Sequence, residues 1–185
     1  PTAAGDDELG GYLATRHLLD LGHRQIALVA GPSYASTAVA RQAGYRRAMA
    51  EAGLADVEHL IHESTFGMDS GEAVARTILA SPDRPTAIFA VNDNTAIGVF
   101  AAAQAAGLSV PDDLSVVGYN DIPISARLPV PLTSVRVPFD RIAAHAVDLL
   151  TQQLTGTPSA EPTVATPTLI PRQSTAPFGR QHPLR

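Results

Sequence analysis

The sequence predicts an α/β protein built on a doubly wound parallel sheet, and two observations predict it. Short buried apolar runs alternate with stretches of about 10 to 15 residues at helical apolar spacing, the pattern of strand–helix–strand units. Two of those runs, residues 86–91 and 114–118, also end in amide and carboxylate clusters: Asn92, Asp93 and Asn94 after the first, Asn120 and Asp121 after the second. In an open parallel sheet, ligands bind beyond the carboxyl ends of the strands, so polar groups that follow buried strands gather on one rim. That is the layout of a small-molecule pocket.

The elements follow in order. Leu9, Leu13, Leu18 and Leu21 repeat at helical spacing, and Gly22 suits the left-handed position after a helix end. Residues 25–31 read as a buried strand. Ser36 is placed to cap a helix running to about Ala52, closed by Gly53. Residues 60–63 form a weak strand, and residues 69–79 a helix closed by Ser81-Pro82. The strand at 86–91 leads into an alanine-rich helix over 95–106, then the strand at 114–118. After Pro129-Val130-Pro131, residues 133–137 are extended, and Pro138 opens a helix through Leu154 whose apolar face is Ile142, Ala146, Leu149 and Leu150. From Thr157 the chain is Pro-rich, with a short strand at 168–170 and a frayed end from Thr175.

Composition removes several classes of function. With 185 residues, 45% of them apolar, the chain can bury a core. The formal charge of -5 comes without a basic block, so this stretch of chain is not expected to grip nucleic acid. No cysteine means no disulfide, thiol catalysis or cysteine zinc site. No apolar run approaches the roughly 18 residues of a membrane span, and no signal peptide is present. The chain begins at Pro1 inside a structured pattern and is expected to be a piece of a longer protein.

A set of phrases resembles the effector-binding core of the lactose-repressor (LacI/GalR) family of transcriptional regulators. They are Asp6-Asp7-Glu8-Leu9-Gly10-Gly11, the run from His17 to Arg24, Gly31-Pro32, Ala40-Arg41-Gln42-Ala43-Gly44-Tyr45, Ala90-Val91-Asn92-Asp93, the run from Val110 to Asp121, and Pro131-Leu132-Thr133-Ser134-Val135. Each phrase alone is weak; their order and spacing make the resemblance specific. It implies a periplasmic-binding-protein-like type I fold, two doubly wound lobes around a ligand cleft, with one lobe nearly complete here and the other partial. The implied division is residues 1–23 as a remnant of the N-terminal lobe, 24–132 as the C-terminal lobe, 133–155 as a crossover segment of the N-terminal lobe, 156–174 as a return to the C-terminal lobe, and 175–185 as a flexible tail.

The resemblance also implies site residues. Arg41 matches the family's effector-binding arginine, and its guanidinium is a fixed fork of five donors suited to paired hydroxyls or a carboxylate; the alternative is a solvated helix arginine. Asn92 matches a hydroxyl-binding asparagine, or else caps the helix that follows it, a role Asp93 could equally fill. Asn120 stands where many members carry an aspartate, so a ligand contact is expected there with altered polarity; the alternative is an Asx turn. Phe66 falls at the family's aromatic platform, against the alternative of a core ring. Asp6 is expected to reach the cleft from the other lobe.

No catalytic set is expected. His17 and His23 are six apart with no second cluster for a metal, and there is no G-x-G-x-x-G, P-loop or G-x-S-x-G. The Asp112-Asp113 pair reads as solvated turn charge. The expectation is a non-enzymatic, cytoplasmic ligand sensor without metal or cofactor. It would bind a small-molecule effector, a sugar before other classes, and touch operator DNA only through a headpiece outside this chain. A homodimer is expected through the apolar helix carrying Ile97, Val99 and Phe100. A periplasmic-type sugar-binding protein of a transport system is the alternative.

Overall fold

The computed structural model describes residues 3–155 and 163–179. Six strands form one sheet in the order β3-β2-β4-β5-β6-β8, where β2 is Ile26–Ala30, β3 Ile61–Glu63, β4 Ala87–Ala90, β5 Ser115–Asn120, β6 Thr133–Arg136 and β8 Thr168–Ile170. The first five run parallel; β8 adds an antiparallel edge to β6. β2, β4 and all but the last residue of β5 are buried, as strands covered on both faces must be. This is the doubly wound α/β sheet the sequence predicts.

Helices cover both faces. Helix α1 (Asp7–Asp20) and α2 (Ser36–Glu51) lie on one side, where Leu18, Tyr45 and Met49 pack on Ile26, Leu28 and Phe89. On the other side α3 (Met68–Leu79) and α4 (Asp93–Ala105) bring Ile78 and Val99 onto Val29, Ile88 and Val116. The two helices of the first pair approach closely because Gly44 faces the Glu8 carbonyl, and any Cβ there would collide with it.

A second, two-stranded parallel sheet pairs β1 (Ala3–Gly5) with β7 (Thr163–Ala165), and α5 (Phe139–Thr155) packs beside it. Neither strand carries an apolar alternation long enough to read, and the sequence pattern missed both.

The structure redraws the expected division of the chain. Residues 7–20 do not go with the second unit: α1 lies against α2, β5, β6 and β8, leaving only Ala3–Gly5 of the expected 1–23 segment in the small sheet. The 133–155 segment is split, because β6 hydrogen-bonds between β5 and β8 while α5 goes to the small sheet. Of the 156–174 segment, residues 156–162 lie outside the described residues, β7 joins the small sheet and β8 the large one. Residues 175–178 of the expected tail are held by contacts. Thr175 Oγ1 lies 2.9 Å from His17 Nε2, the Ala176 carbonyl 3.0 Å from His23 Nε2, and Phe178 N donates to Leu21 O. Residues 180–185 are outside the described residues.

Element ends differ in instructive ways. Ala35, not Ser36, holds the cap position of α2 and makes no side-chain cap bond. β5 continues to Asn120, so that residue closes the strand rather than following it.

Candidate functional site

In the order β3-β2-β4, the chain leaves β2 toward one edge and resumes at β4 on the other side. The carboxyl ends of β2 and β4 therefore flank the topological switch point, where open α/β sheets form a crevice. Four of the five expected site residues come from loops or helix starts around this crevice or the neighbouring end of β5. The fifth, Asp6, sits where β1 passes into α1.

Arg41 comes from the second turn of α2 and is 8% exposed, which rules out a solvated arginine. Its Nε donates to Asp7 Oδ1 at 2.8 Å and its Nη1 to the Val91 carbonyl at 2.8 Å, just beyond β4. The guanidinium carbon lies 3.8 Å from the centroid of the Tyr119 ring. The fork is thus fixed on three sides, by Asp7, the Val91 carbonyl and the Tyr119 ring. Tyr119 is fully buried, and burial followed by the nearby Asp7 carboxylate raises its phenol well above the usual range. It therefore stays a neutral platform for the cation.

Asn92 takes the capping role foreseen for it and adds a second bond. Its Oδ1 accepts from Thr95 N at 2.8 Å and caps α4, while Nδ2 donates to the Phe66 carbonyl at 3.0 Å. One amide hydrogen remains. Phe66 itself has φ 66°, a conformation L side chains rarely adopt, and its ring lies so close over Gly31 that a Cβ there would collide with it. The glycine thus seats the ring at the end of β2, half-buried.

Asn120 has φ 101°, and its amide has no hydrogen-bond partner among the described residues. Asp6 directly follows β1 of the small sheet. It caps α1, with Oδ1 accepting from Leu9 N at 2.9 Å, and its backbone N–H donates to Ala165 O.

Asp93 and Asp121, polar neighbours of the expected contacts, turn inward. Asp93 is 1% exposed; its Oδ1 accepts from Ser134 Oγ at 2.6 Å and its Oδ2 from Ile122 N at 2.8 Å. Burial pushes its carboxyl above the ordinary range, with these hydrogen bonds opposing. Asp121 is paired with Arg136 and Arg172. Burial alone would raise its carboxyl, but the two arginines outweigh that and hold it below the usual value. The pairings of Asp7, Tyr119 and Asp121 with Arg41, Arg136 and Arg172 were not foreseen in the sequence reading, since the partners are far apart along the chain. No group of three potential metal ligands occurs among the described residues.

Residues 15–175 match the periplasmic binding protein-like domain family. The chain belongs to that family. Its curated relatives are transcriptional repressors: it is 41% identical over 149 residues to the HTH-type transcriptional repressor PurR of Vibrio campbellii, covering 80% of this chain and 45% of the relative. It is 40% identical over 146 residues to the ribose operon repressor of Haemophilus influenzae, covering 79% of this chain and 44% of that protein. The chain thus spans about half the length of the curated relatives it matches. Among solved structures, the transcriptional regulator CelR–cellobiose complex superposes with a TM-score of 0.87 at 35% identity, over 92% of this chain and 52% of that one. The resemblance to LacI-type regulators and the type I periplasmic-binding-protein-like fold both hold. Among the described residues, no helix is long and apolar enough to cross a membrane.

Proposed function

We propose that this periplasmic binding protein-like chain is the effector-sensing part of a LacI-type transcriptional regulator and binds a small uncharged polar ligand, a sugar, in the crevice beside β2, β4 and β5. The observation that carries the reading is the convergence at one rim of a fixed arginine fork, two asparagine amides with unused capacity and an aromatic ring seated on Gly31. Hydroxyl groups both donate and accept, and a sugar ring presents an apolar face to an aromatic one. The charge of Arg41 is already matched by Asp7 at 2.8 Å, so the rim offers no uncompensated cation to a phosphate or carboxylate. Cellobiose, in the CelR complex, and ribose, bound in a LacI family transcriptional regulator from Enterococcus faecium, have this neutral polyol chemistry.

The small sheet and α5 are then what this chain contributes to a second lobe. Effector in the crevice shifts the balance between two arrangements of the lobes by its differential affinity for them. In the cytoplasmic full-length regulator, that shift reaches operator DNA through an N-terminal headpiece. Within this chain a net charge of -5 without a basic block gives no DNA surface. Assembly as a homodimer through α4 completes the reading. The repressor identity of the curated relatives favours a regulator over a transport protein.

The test is calorimetry of the full-length gene product with D-ribose, cellobiose and their phosphorylated forms, alongside an operator gel shift. Saturable binding of a neutral sugar that alters the DNA shift is expected. Preference for a phosphorylated sugar, or no response to any sugar, sinks the reading.

A further inference from the structure

We propose that Asp121 is a positioning residue: gripped by Arg136 and Arg172, its carboxylate holds the Asn120 turn in its left-handed conformation and ties the ligand rim to the connections between the two sheets. Asn120 and Asp121 have φ values of 101° and 55°, two consecutive non-glycine residues in a region that L side chains rarely adopt. Such a conformation persists only where the surroundings over-determine it. Here the two backbone amides after Asn120 are pinned. Asp121 N donates to Ser134 Oγ at 3.1 Å, Ser134 Oγ donates to Asp93 Oδ1, and Asp93 Oδ2 accepts from Ile122 N.

The carboxylate completes the hold. Arg136 places Nε at 2.7 Å and Nη2 at 2.6 Å from Asp121 Oδ2. Arg172 Nη1 lies 2.7 Å from Oδ1, an ion-pair contact without hydrogen-bond alignment, and donates to the Leu132 carbonyl at 2.8 Å. The Asp121 side chain is 4% exposed although Arg136 is 54% exposed, so the acid is anchored inside and one arm reaches outward.

The two arginines mark the connections. Arg136 is the last residue of β6, which leads through Val137 and Pro138 into α5 beside the small sheet. Arg172 follows β8, the strand entered from β7 on the way back. A displacement of the small sheet relative to the large one therefore pulls on the carboxylate next to Asn120, and a ligand that fixes Asn120 resists that displacement. The binding consequence rests on the proposed sugar site; the hold on the turn does not.

Both parts are tested on the full-length gene product. Hydrogen exchange should show the amides of Asp121 and Ile122 exchanging about ten-fold faster in Asp121→Asn, with β2 and β4 unchanged. Arg136→Gln, which removes only the outer arm, should give a smaller change in the same two amides and serves if Asp121→Asn does not fold. Unaltered protection in whichever variant folds overturns the proposal. With D-ribose or cellobiose as probe, Asp121→Asn should weaken binding about ten-fold in the native background but less than about two-fold when Asn120 is already alanine, because one residue acts through the other. Additive losses would overturn the positioning role. If neither sugar binds the unaltered protein, the sugar reading falls and the exchange measurement still decides the clamp.

Discussion

Arg41 stacks on Tyr119 with its guanidinium carbon 3.8 Å from the ring centroid, while its Nε holds Asp7 at 2.8 Å. The three residues come from α2, β5 and α1, so one buried cation knits two helices to the sheet. A residue placed for binding alone would leave the fold indifferent to its loss. This one does not.

Arg41→Ala should therefore destabilise as well as weaken binding. Removing one partner of a mostly buried pair leaves Asp7 charged without compensation and the Val91 carbonyl without its donor, at a cost of about 3 kcal/mol. The lost charge-assisted bonds to ligand add on the order of 10- to 100-fold in Kd. Urea unfolding and sugar calorimetry on the same protein separate the two. An unchanged urea midpoint would contradict the structural part, and unchanged affinity would remove Arg41 from the site.

Asn92 invites a substitution that splits its two bonds. Asn92→Asp keeps an acceptor for Thr95 N at the start of α4, where negative charge is favoured, so stability should change by less than about 1 kcal/mol. The same change removes the donor to the Phe66 carbonyl, now faced by a carboxylate, and should disturb the ring platform. Asn92→Ala loses both, with about 1 kcal/mol or more from the cap alone. Equal stability of the two variants in urea would show that the cap is not what the side chain supplies.

Much of the fold was legible because it is local. The buried runs, Gly22 and Gly53 at helix ends, and Pro138 before α5 each act within a few residues, and the structure places β2, β4 and α1 to α5 within a residue or two of those signals. The family phrases extended this to the topology. What stayed hidden depends on distant pairing. β1 and β7 are three residues each and find each other from opposite ends of the chain. The packing of α1 on the large sheet was not legible because a helix does not reveal in sequence which sheet it covers. At the rim, Arg41, Asn92, Phe66, Asn120 and Asp6 could be named from the resemblance, but not the internal bonds of Arg41 and Asn92. The Asp121 clamp was missed because Arg172 lies in a proline-rich stretch with no periodicity.

Acid should weaken the fold through its histidines. Burial holds His23 below the ordinary value of 6.5, and the hydrogen bond that its Nε2 donates to the Ala176 carbonyl restores only part of it. Burial lowers His17 and His62 in the same direction. Between those depressed values and 6.5 the unfolded chain binds the proton and the folded one does not. The stability is thus fully present above about pH 6.5 and falls as pH drops through that window. The urea midpoint should be lower at about pH 5 than at about pH 7.5, with the difference reduced in His23→Gln. A midpoint that rises on acidification, or a His23→Gln protein with the original slope, would contradict the assignment.

The last prediction concerns assembly. An apolar groove of about 410 Å³ runs beside α4, lined by Ile97, Phe100, Leu108, Val110, Leu128 and Pro129. Ile97 and Phe100 are only partly buried within the chain, so this face has apolar surface left for a neighbour. In a two-fold dimer each substitution enters the interface twice, and a charge placed at its centre meets its own copy. Ile97→Asp should therefore cost about 2 kcal/mol per copy, on the order of a thousand-fold in the dimer constant, with little change in the urea midpoint. Val147→Asp introduces the same charge on exposed α5 and should leave self-association intact. Sedimentation of the full-length gene product reads all three species. A dimer that survives Ile97→Asp, or dissociates equally with Val147→Asp, would move the interface away from α4.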